Sequence, residues 1–217
     1  MTCVLVLGPH RSGTSAVAGV LHHLGVVMGE RLLGPGRGNE RGHYEDAEFL
    51  ALHERIIGDW HNPPGPNTLS ERYASARGEY ERLVRVRNER YRLWGIKDPR
   101  LCILLPIVLP AFDGVELKIV SVHRLLSLSA ASLSARDGLS YVDALKITIR
   151  YNDARHAVLR TVADLPICHI DYDRLVNSPW SNVVSLAQFV GVGPRAEAAA
   201  FVDPSLRHFS VQDLGRK

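Results

Sequence analysis

The residues with the clearest chemical meaning are in the stretch GPHRSGTS, which begins at Gly8. Gly8 and Gly13 allow the backbone to wrap closely around a small anion. A helix beginning after Gly13 would point its unpaired N–H groups and the positive end of its dipole at that anion. Arg11 adds a planar guanidinium that fits phosphate oxygens. The stretch therefore predicts an oxyanion site formed by Arg11, Ser12, Gly13, Thr14 and Ser15.

One position separates this stretch from the phosphate-binding loop of nucleotide triphosphatases. The spacing G-x-x-x-x-G is the same, but Thr14 stands where those enzymes have the lysine that reaches the β- and γ-phosphates. A single phosphate, or a phosphate that carries another group, therefore fits the loop better than a triphosphate does. A small-molecule kinase that uses ATP and Mg²⁺ stays open as an alternative, because Asp171 ends an apolar run much as a magnesium-binding aspartate does.

The composition is that of one globular domain, which we expect to span residues 1–217. Apolar residues make up 46% of the chain and charged residues 23%, values that are ordinary for a folded domain. The net charge of +3 is too small to indicate a nucleic-acid partner, although it is compatible with an anionic ligand. None of the three cysteines lies in a C-x-x-C pair, which favours a reducing compartment.

No segment of the sequence indicates a secreted or a membrane-spanning protein. The first predicted strand begins at residue 3, which leaves no room for a signal peptide before it. No apolar run reaches the roughly 18 residues that a membrane span needs. We therefore expect a cytoplasmic protein without a membrane span.

Strands alternate with helices along the chain, which predicts an α/β protein with a mostly parallel sheet. Apolar runs predict strands at residues 3–7, before Lys97, at 116–124 and at 165–172. Helical signals predict helices at about 13–24, 46–59, 70–92, 126–136, 140–163 and 178–192. Ligands of such sheets bind where the parallel strands end. This rule places four segments on one rim of the sheet: residues 8–15, 97–100, 123–124 and 171–172.

The stretch GPHRSGTS resembles the 5′-phosphosulfate loop of sulfotransferases that use 3′-phosphoadenosine 5′-phosphosulfate (PAPS). In that family a cation is followed by Ser-Gly-Thr and then Ser or Thr, and Arg11 stands at the place of the cation. The second signature of the family is an arginine that ends a later strand, with a serine eight residues on. VSVHRLLSLSAASLSAR supplies Arg124 and Ser132 at these places, and the resemblance implies that both hold the 3′-phosphate of PAPS. Leu126 replaces a proline that is frequent in the family.

Three further segments resemble the bacterial branch of this family, in the same order along the chain. They are GHYEDAEFLALHERI, WGIKDPRLCILLP and ICHIDYDRLVNSP. The resemblance thus extends from residue 4 to about residue 190. It implies a three-layer P-loop fold with a central, mostly parallel sheet of about five strands flanked by helices. It also implies PAPS as the donor, 3′,5′-adenosine bisphosphate (PAP) as the product and no requirement for a metal.

The resemblance also implies roles in the transfer of the sulfuryl group. Lys97 matches a lysine that reaches the bridging oxygen or the sulfuryl group, and charge builds on that oxygen during transfer. Pro99 occupies the place of a histidine base in the cytosolic relatives, so another residue must act as the base. Other branches use a residue in the segment after the first helix. Glu45 matches the bacterial motif there, and His43 is the second candidate.

The acceptor stays open at this point, since a hydroxyl or an amine of a carbohydrate, a lipid or a small metabolite fits the chemistry. Residues 29–45 and 58–75 are predicted to line its pocket, because such loops carry specificity. Arg207 and His208 are interpreted either as residues that close over the nucleotide or as surface residues. A catalytically inactive protein that binds a phosphonucleotide is the alternative outside the enzymes.

Overall fold

The protein is built on one parallel sheet, seen in a computed structural model that describes residues 1–36, 38–207 and 209–210. Its strands are β1 (Thr2–Leu7), β2 (Leu93–Lys97), β3 (Glu116–His123) and β4 (Ile167–Asp171). Their order across the sheet is β2-β1-β3-β4, and all three pairings are parallel. The first strand of the chain therefore lies inside the sheet, and the predicted α/β class with a parallel sheet is confirmed.

The predicted number of about five strands is wrong, since the described residues form four. The segment next to the outer edge of β2 pairs at one residue only, through a parallel bridge between Val27 and Trp94. The backbone N–H of Gly95 donates to the carbonyl of Val27 at 2.9 Å. Gly25 has a φ of 98° immediately before this segment, so the chain turns there and the pairing is too short for a strand.

The side chains of β1 alternate between two hydrophobic layers, as a central strand requires. Cys3, Leu5 and Leu7 pack into the core on one face of the sheet. Val4 and Val6 pack into the core on the other face. The alternation produces three layers, with helices covering both faces of the sheet.

Nine α-helices are formed by the described residues, numbered here in chain order. They are α1 (Thr14–His23), α2 (Ala47–Ile57), α3 (Pro66–Arg90), α4 (Leu101–Val108), α5 (Leu126–Asp137), α6 (Tyr141–Thr161), α7 (Tyr172–Asn177), α8 (Pro179–Val190) and α9 (Ala196–Ala200). Helices α2 to α6 contribute to the core that contains Leu5, whereas α1 and α7 to α9 contribute to the core that contains Val4.

All six predicted helices are present, with ends that differ by a few residues, and three short helices were not predicted. Helix α3 begins earlier than predicted because Pro66 occupies its first turn, where the missing N–H of proline has no helical partner to lose. Helix α4 was missed because Pro99 and Pro106 suggest a broken segment, although Pro106 lies inside the helix.

No helix within residues 1–36, 38–207 and 209–210 is both long and apolar enough to cross a membrane. Cys3 and Cys102 are buried and Cys168 is half-buried, and all three are free thiols.

Candidate active site

A cavity opens at the carboxyl ends of the four strands, with a volume of about 920 Å³ including its open mouth. Nine of the ten predicted site residues line it, and they come from the first loop, the start of α1, the segment before α2, the ends of β2 and β3, and α5. They are Arg11, Gly13, Thr14, Ser15, His43, Glu45, Lys97, Arg124 and Ser132. The structure thus brings together residues that are up to 121 positions apart in the sequence.

The first loop owes its shape to two residues in the left-handed region of backbone conformation. Gly13 has a φ of 93°, and a Cβ atom at this position would overlap the ring of Tyr172. Arg11 has a φ of 64°, a conformation that costs a residue with a side chain about 1–2 kcal/mol. Such backbone conformations are often found at ligand sites, where surrounding contacts hold them.

Ser12 closes this loop and does not face the cavity. It is buried, its hydroxyl donates to the carbonyl of Pro9 at 2.8 Å, and its N–H donates to the same carbonyl at 3.2 Å. Helix α1 then begins at Thr14 without a side chain that caps its N-terminus. The first N–H groups of a helix have no partner within the helix, so this end is suited to an anion.

Arg11 connects the loop with the second predicted anion site. Its Nε donates to the hydroxyl of Ser132 at 2.9 Å, and its Nη1 donates to the carbonyl of Gly38 at 2.6 Å. Arg124 in turn donates from Nη1 to the carbonyl of Arg11 at 3.3 Å and from Nη2 to the carbonyl of Phe209. The two arginines and Ser132 therefore form one continuous group.

Arg124 is buried and Arg11 is half-buried, and neither guanidinium contacts a carboxylate among the described residues. Burial, together with the charges of Arg136 and Arg124, lowers the pKa of Arg11 to about 10. Burial also lowers the pKa of Arg124, whose guanidinium lies 4.9 Å from the centre of the Tyr172 ring and whose Nε has no partner. The lowered pKa values show that the neighbouring residues compensate little of this positive charge.

Lys97 and Glu45 form a buried ion pair at the end of β2. The Lys97 Nζ lies 2.5 Å from Glu45 Oε1 and donates to the hydroxyl of Ser15 at 3.1 Å. The side chains of the lysine and the glutamate are only 3% and 10% exposed. The predicted catalytic lysine and the predicted base are thus direct partners, beside a hydroxyl at the start of α1.

Asp46 fixes the backbone immediately after Glu45. Its carboxylate caps α2 by accepting from the N–H of Glu48 at 2.9 Å, and it also accepts from the N–H of Glu30 at 2.9 Å. Arg87 from α3 pairs with the same carboxylate at 3.2 Å. The position of Glu45 therefore depends on a helix cap and on a buried arginine.

His43 lies on the same wall of the cavity and contacts Asn39. The Nδ2 amide group of Asn39 donates to Nδ1 of His43 at 2.9 Å, which leaves the proton of a neutral imidazole on Nε2. Burial lowers the pKa of His43 below its ordinary value, so the imidazole is neutral at pH 7.

Asp98 follows Lys97 but is held by other partners. It accepts from Arg100 through Nη1 at 3.1 Å and through the N–H at 2.8 Å, and it lies 2.8 Å from Nδ1 of His53. Burial alone would raise the pKa of Asp98, but Arg100 and His53 outweigh burial and hold the pKa below its ordinary value. Asp98 therefore does not pair with Lys97, whose carboxylate partner is Glu45.

His10 is a site residue that the sequence analysis did not single out. It lines the cavity, is 8% exposed and packs against the rings of Trp60 and Tyr151 at 4.2 and 4.8 Å. The available signal was its place beside Arg11 within the loop, but its ring partners lie 50 and 141 positions away in the sequence.

The C-terminal segment lines one side of the cavity through Phe201, Val202, Asp203 and Leu206. Arg41 binds this segment, with Nη2 2.9 Å from the Asp203 carboxylate and Nη1 donating to the carbonyl of Phe201. Arg207 lies 3.5 Å from Asp173 on α7. His208, for which closure over the nucleotide was one interpretation, is outside the described residues.

Comparison with known proteins gives structural relatives only. No protein-family model matches the chain, and no curated protein is similar to it in sequence. The fold is similar to the sulfotransferase domain of an olefin synthase from Synechococcus PCC 7002, with a TM-score of 0.61 and 18% identity over 97% of this chain and 89% of that one. It is also similar to the sulfotransferases STF1 of Mycobacterium tuberculosis H37Rv and STF9 of Mycobacterium avium.

For these two mycobacterial structures the TM-scores are 0.57 and 0.54, and the identities are 15% and 16%. The alignments cover 98% and 97% of this chain and 75% and 73% of the two relatives. At such low identity the similarity establishes the fold, and the predicted sulfotransferase P-loop fold is confirmed.

Proposed function

We propose that this protein is a sulfotransferase that moves the sulfuryl group of PAPS to a hydroxyl or amine of an acceptor. One observation carries the proposal: the half-buried Arg11 and the buried Arg124 hold positive charge that contacts no carboxylate of the described residues, beside the N-terminus of α1, in a protein with a sulfotransferase fold. A buried charge without a partner is costly, so a dianionic ligand such as a bisphosphate is stabilised there.

The donor carries its 5′-phosphate and its 3′-phosphate at two places, and two neighbouring sets of residues bind them. Arg11, Thr14, Ser15 and the free N–H groups of α1 bind the 5′-phosphate. Arg124 and Ser132 bind the 3′-phosphate. The contact between Arg11 and Ser132 at 2.9 Å supports this division, because it brings the two sets to the distance that one small ligand can span.

Lys97 and Glu45 complete the chemistry in this proposal. The negative charge of the bound phosphosulfate replaces Glu45 as the partner of Lys97, which stabilises the bridging oxygen as the S–O bond to the phosphate breaks. The released Glu45 carboxylate accepts the proton of the acceptor as its oxygen or nitrogen bonds to sulfur. PAP then leaves the site. His43 is the alternative base, because its imidazole is neutral and lies on the same wall of the cavity.

The acceptor in this proposal is a carbohydrate, a lipid or a small metabolite. Residues 38–43 line the cavity, which supports the prediction that the loop 29–45 contacts the acceptor. The proposal includes a cytoplasmic location, with which the three free cysteines are compatible. It does not include a metal.

A kinase that uses ATP and Mg²⁺ is less well supported. Asp171, the aspartate that suggested it, accepts from the N–H of Arg174 at 2.9 Å as the cap of α7. The same carboxylate lies 3.4 Å from Nε2 of His123. Asp171 does not contribute to the lining of the cavity. A catalytically inactive protein that binds PAP has the same donor site, and only turnover distinguishes it from an enzyme.

Thermal unfolding with PAP, and separately with ATP and Mg²⁺, tests the donor. PAP is expected to raise Tm clearly, since a ligand that binds only the folded state stabilises it. Arg11→Ala and Arg124→Ala each remove a charged hydrogen-bonding group, and calorimetry should show that each weakens PAP binding about 10–100-fold. Arg77→Ala is the control, because Arg77 is exposed and paired with Glu81 outside the cavity.

Transfer from ³⁵S-labelled PAPS to a panel of sugars, lipids, phenols and amino alcohols tests turnover. A labelled product that depends on Lys97 supports the sulfotransferase. A Tm raised by ATP and Mg²⁺ but not by PAP would instead support the kinase, and PAP binding without any labelled product would support the inactive protein.

A further inference from the structure

His10 holds a buried nitrogen that no residue described here satisfies. The side chain lines the cavity and is 8% exposed, and its Nε2 has no hydrogen-bond partner among the described residues. A buried polar atom without a partner costs about 1–3 kcal/mol. Such an atom in a cavity wall is expected where a ligand supplies the missing partner.

Two aromatic rings hold the imidazole of His10 in a fixed orientation. The Trp60 ring lies 4.2 Å from it at 35°, and the Tyr151 ring lies 4.8 Å from it at 77°. The hydroxyl of Tyr151 donates to the carbonyl of Trp60 at 2.9 Å, so it is not the missing partner of His10. Fixed orientation is the property that a residue needs to position a reacting group.

The ring partners of His10 lie on one face of the sheet. Trp60 belongs to the segment 58–75, which the sequence predicts to line the acceptor pocket, but no residue of this segment lines the cavity. Trp60 and Tyr151 belong to the core on one face of the sheet, whereas Tyr172, under Arg124, belongs to the core on the other face. The ring partners of His10 thus differ from the ring that packs under Arg124, the arginine that binds the 3′-phosphate in the proposed function.

The surroundings of His10 keep its imidazole uncharged. Burial is the main cause of a pKa well below the ordinary value, and the charges of Arg100, Arg136 and Lys97 act in the same direction. Asp98 opposes them but does not outweigh them. A neutral imidazole has one N–H and one free lone pair, so it can accept a hydrogen bond from a hydroxyl or an amine.

We propose that His10 binds the acceptor substrate, and that its free ring nitrogen hydrogen-bonds the hydroxyl or amine that receives the sulfuryl group. This proposal rests on the sulfotransferase function proposed above. His10 positions the nucleophile, Glu45 takes its proton, and Lys97 stabilises the leaving oxygen. His10 takes no part in binding the nucleotide.

His10→Phe is the variant that isolates the nitrogen, because phenylalanine keeps a ring against Trp60 and Tyr151. The variant should keep or raise Tm, since the unpartnered nitrogen is removed, and it should bind PAP within twofold of the wild type. With the acceptor found by the ³⁵S panel, its KM for the acceptor should rise about tenfold, as the loss of one hydrogen bond predicts. Its KM for PAPS should stay the same.

His61→Phe is the matched control. His61 stacks on Trp60 at 3.8 Å, and His10 packs against the same ring at 4.2 Å, but His61 does not line the cavity. It should leave both KM values unchanged. A loss of Tm and kcat in His10→Phe without a change in the acceptor KM would mean that His10 is only a packing residue and would overturn the proposal.

A spectroscopic measurement keeps the proposal testable if the panel yields no product. Phenol, glycerol and ethanolamine are added in turn to ¹⁵N-histidine-labelled protein saturated with PAP, and the His10 signal is assigned by its loss in His10→Phe. At least one probe should shift that signal, and the shift should persist in His61→Phe. No shift with any probe would overturn the proposal.

The donor and acceptor parts of the experiment fail separately. If the wild type does not bind PAP, the proposed function fails, and the probes are then added to the free protein to judge His10. If His10→Phe loses PAP affinity as Arg11→Ala does, the proposed function stands, and His10 belongs to the donor site instead.

Discussion

Lys97 and Glu45 depend on each other at the scale of single residues. Lys97→Met leaves a buried carboxylate without its partner, and the loss of one member of a buried pair costs about 3–5 kcal/mol. Glu45→Gln should be costly for the same reason. The double variant should lose much less than the sum of the two single losses, which urea unfolding of all four proteins measures as a double-mutant cycle. Additive losses would show that the pair is not coupled.

Gly13 combines a positive φ with a close neighbour. Gly13→Ala should cost about 1–2 kcal/mol for the conformation and about 1–3 kcal/mol for the overlap with the Tyr172 ring. It should also weaken PAP binding, because the loop has to shift. Gly191→Ala is the control, since Gly191 has a φ of 83° but open space around a Cβ. Urea unfolding should therefore show the larger loss for Gly13→Ala, and equal losses would disprove the role of the overlap.

The sequence predicts which residue types form the site better than it predicts their partners. Gly13, Thr14 and Ser15 are consecutive, so their shared location follows from one short motif. The ion pair of Lys97 and Glu45 joins residues 52 positions apart, and no local pattern records it. His10 was missed for the same reason, because only its packing against distant rings gives it chemical meaning.

The N-terminus of α2 is the element that holds the proposed base in place. Asp46→Ala removes the cap, the bond from the N–H of Glu30 and one carboxylate partner of the buried Arg87. The free energy of unfolding should fall by at least the roughly 1 kcal/mol of a lost cap, and kcat should fall as Glu45 becomes mobile.

A second helix cap provides the control for Asp46→Ala. Ser140 caps α6 by accepting from the N–H of Asp143 at 3.1 Å, and it lies outside the cavity. Ser140→Ala should lower Tm by the comparable loss of one helix cap, while kcat stays unchanged. If both variants lowered kcat equally, the loss would reflect general stability and not the position of Glu45.

Elements were predictable where one local pattern dominates. The strands and the long helices follow from apolar periodicity. The start of α3 and the presence of α4 were not, because Pro66 is tolerated in a first turn and Pro106 lies within a helix packed in the core. The fifth strand came from the family resemblance and not from a fifth apolar run in this sequence.

The whole molecule should lose stability as the pH falls below about 6.5, the ordinary pKa of histidine. Burial lowers the pKa of five histidines: His10, His22, His43, His123 and His156. In this pH range the unfolded chain binds protons that the folded protein does not, so acid favours unfolding. His10 is the most deeply buried of the five. Each proton that the unfolded chain binds and the folded protein does not lowers the free energy of unfolding by up to about 1.4 kcal/mol per pH unit.

Urea unfolding of the wild type and of His10→Phe between pH 7.5 and pH 5 measures this effect. The free energy of unfolding of the wild type should fall as the pH falls. His10→Phe should show a smaller slope against pH, because its unfolded chain lacks one histidine that would bind a proton. Equal slopes would mean that His10 titrates alike in the folded and unfolded states.

The position of β1 has a consequence for how the protein is made. Thr2 pairs with Leu93 on one side and with Glu116 on the other, so both neighbours of the first strand are synthesised long after it. At roughly 5–20 residues per second, β1 waits on the order of ten seconds on the ribosome before β3 can join it. Within the described part of the chain, the loop from Gly8 to Gly13 is thus the first segment of the site to leave the ribosome. It obtains its final shape only after more than half of the chain has followed.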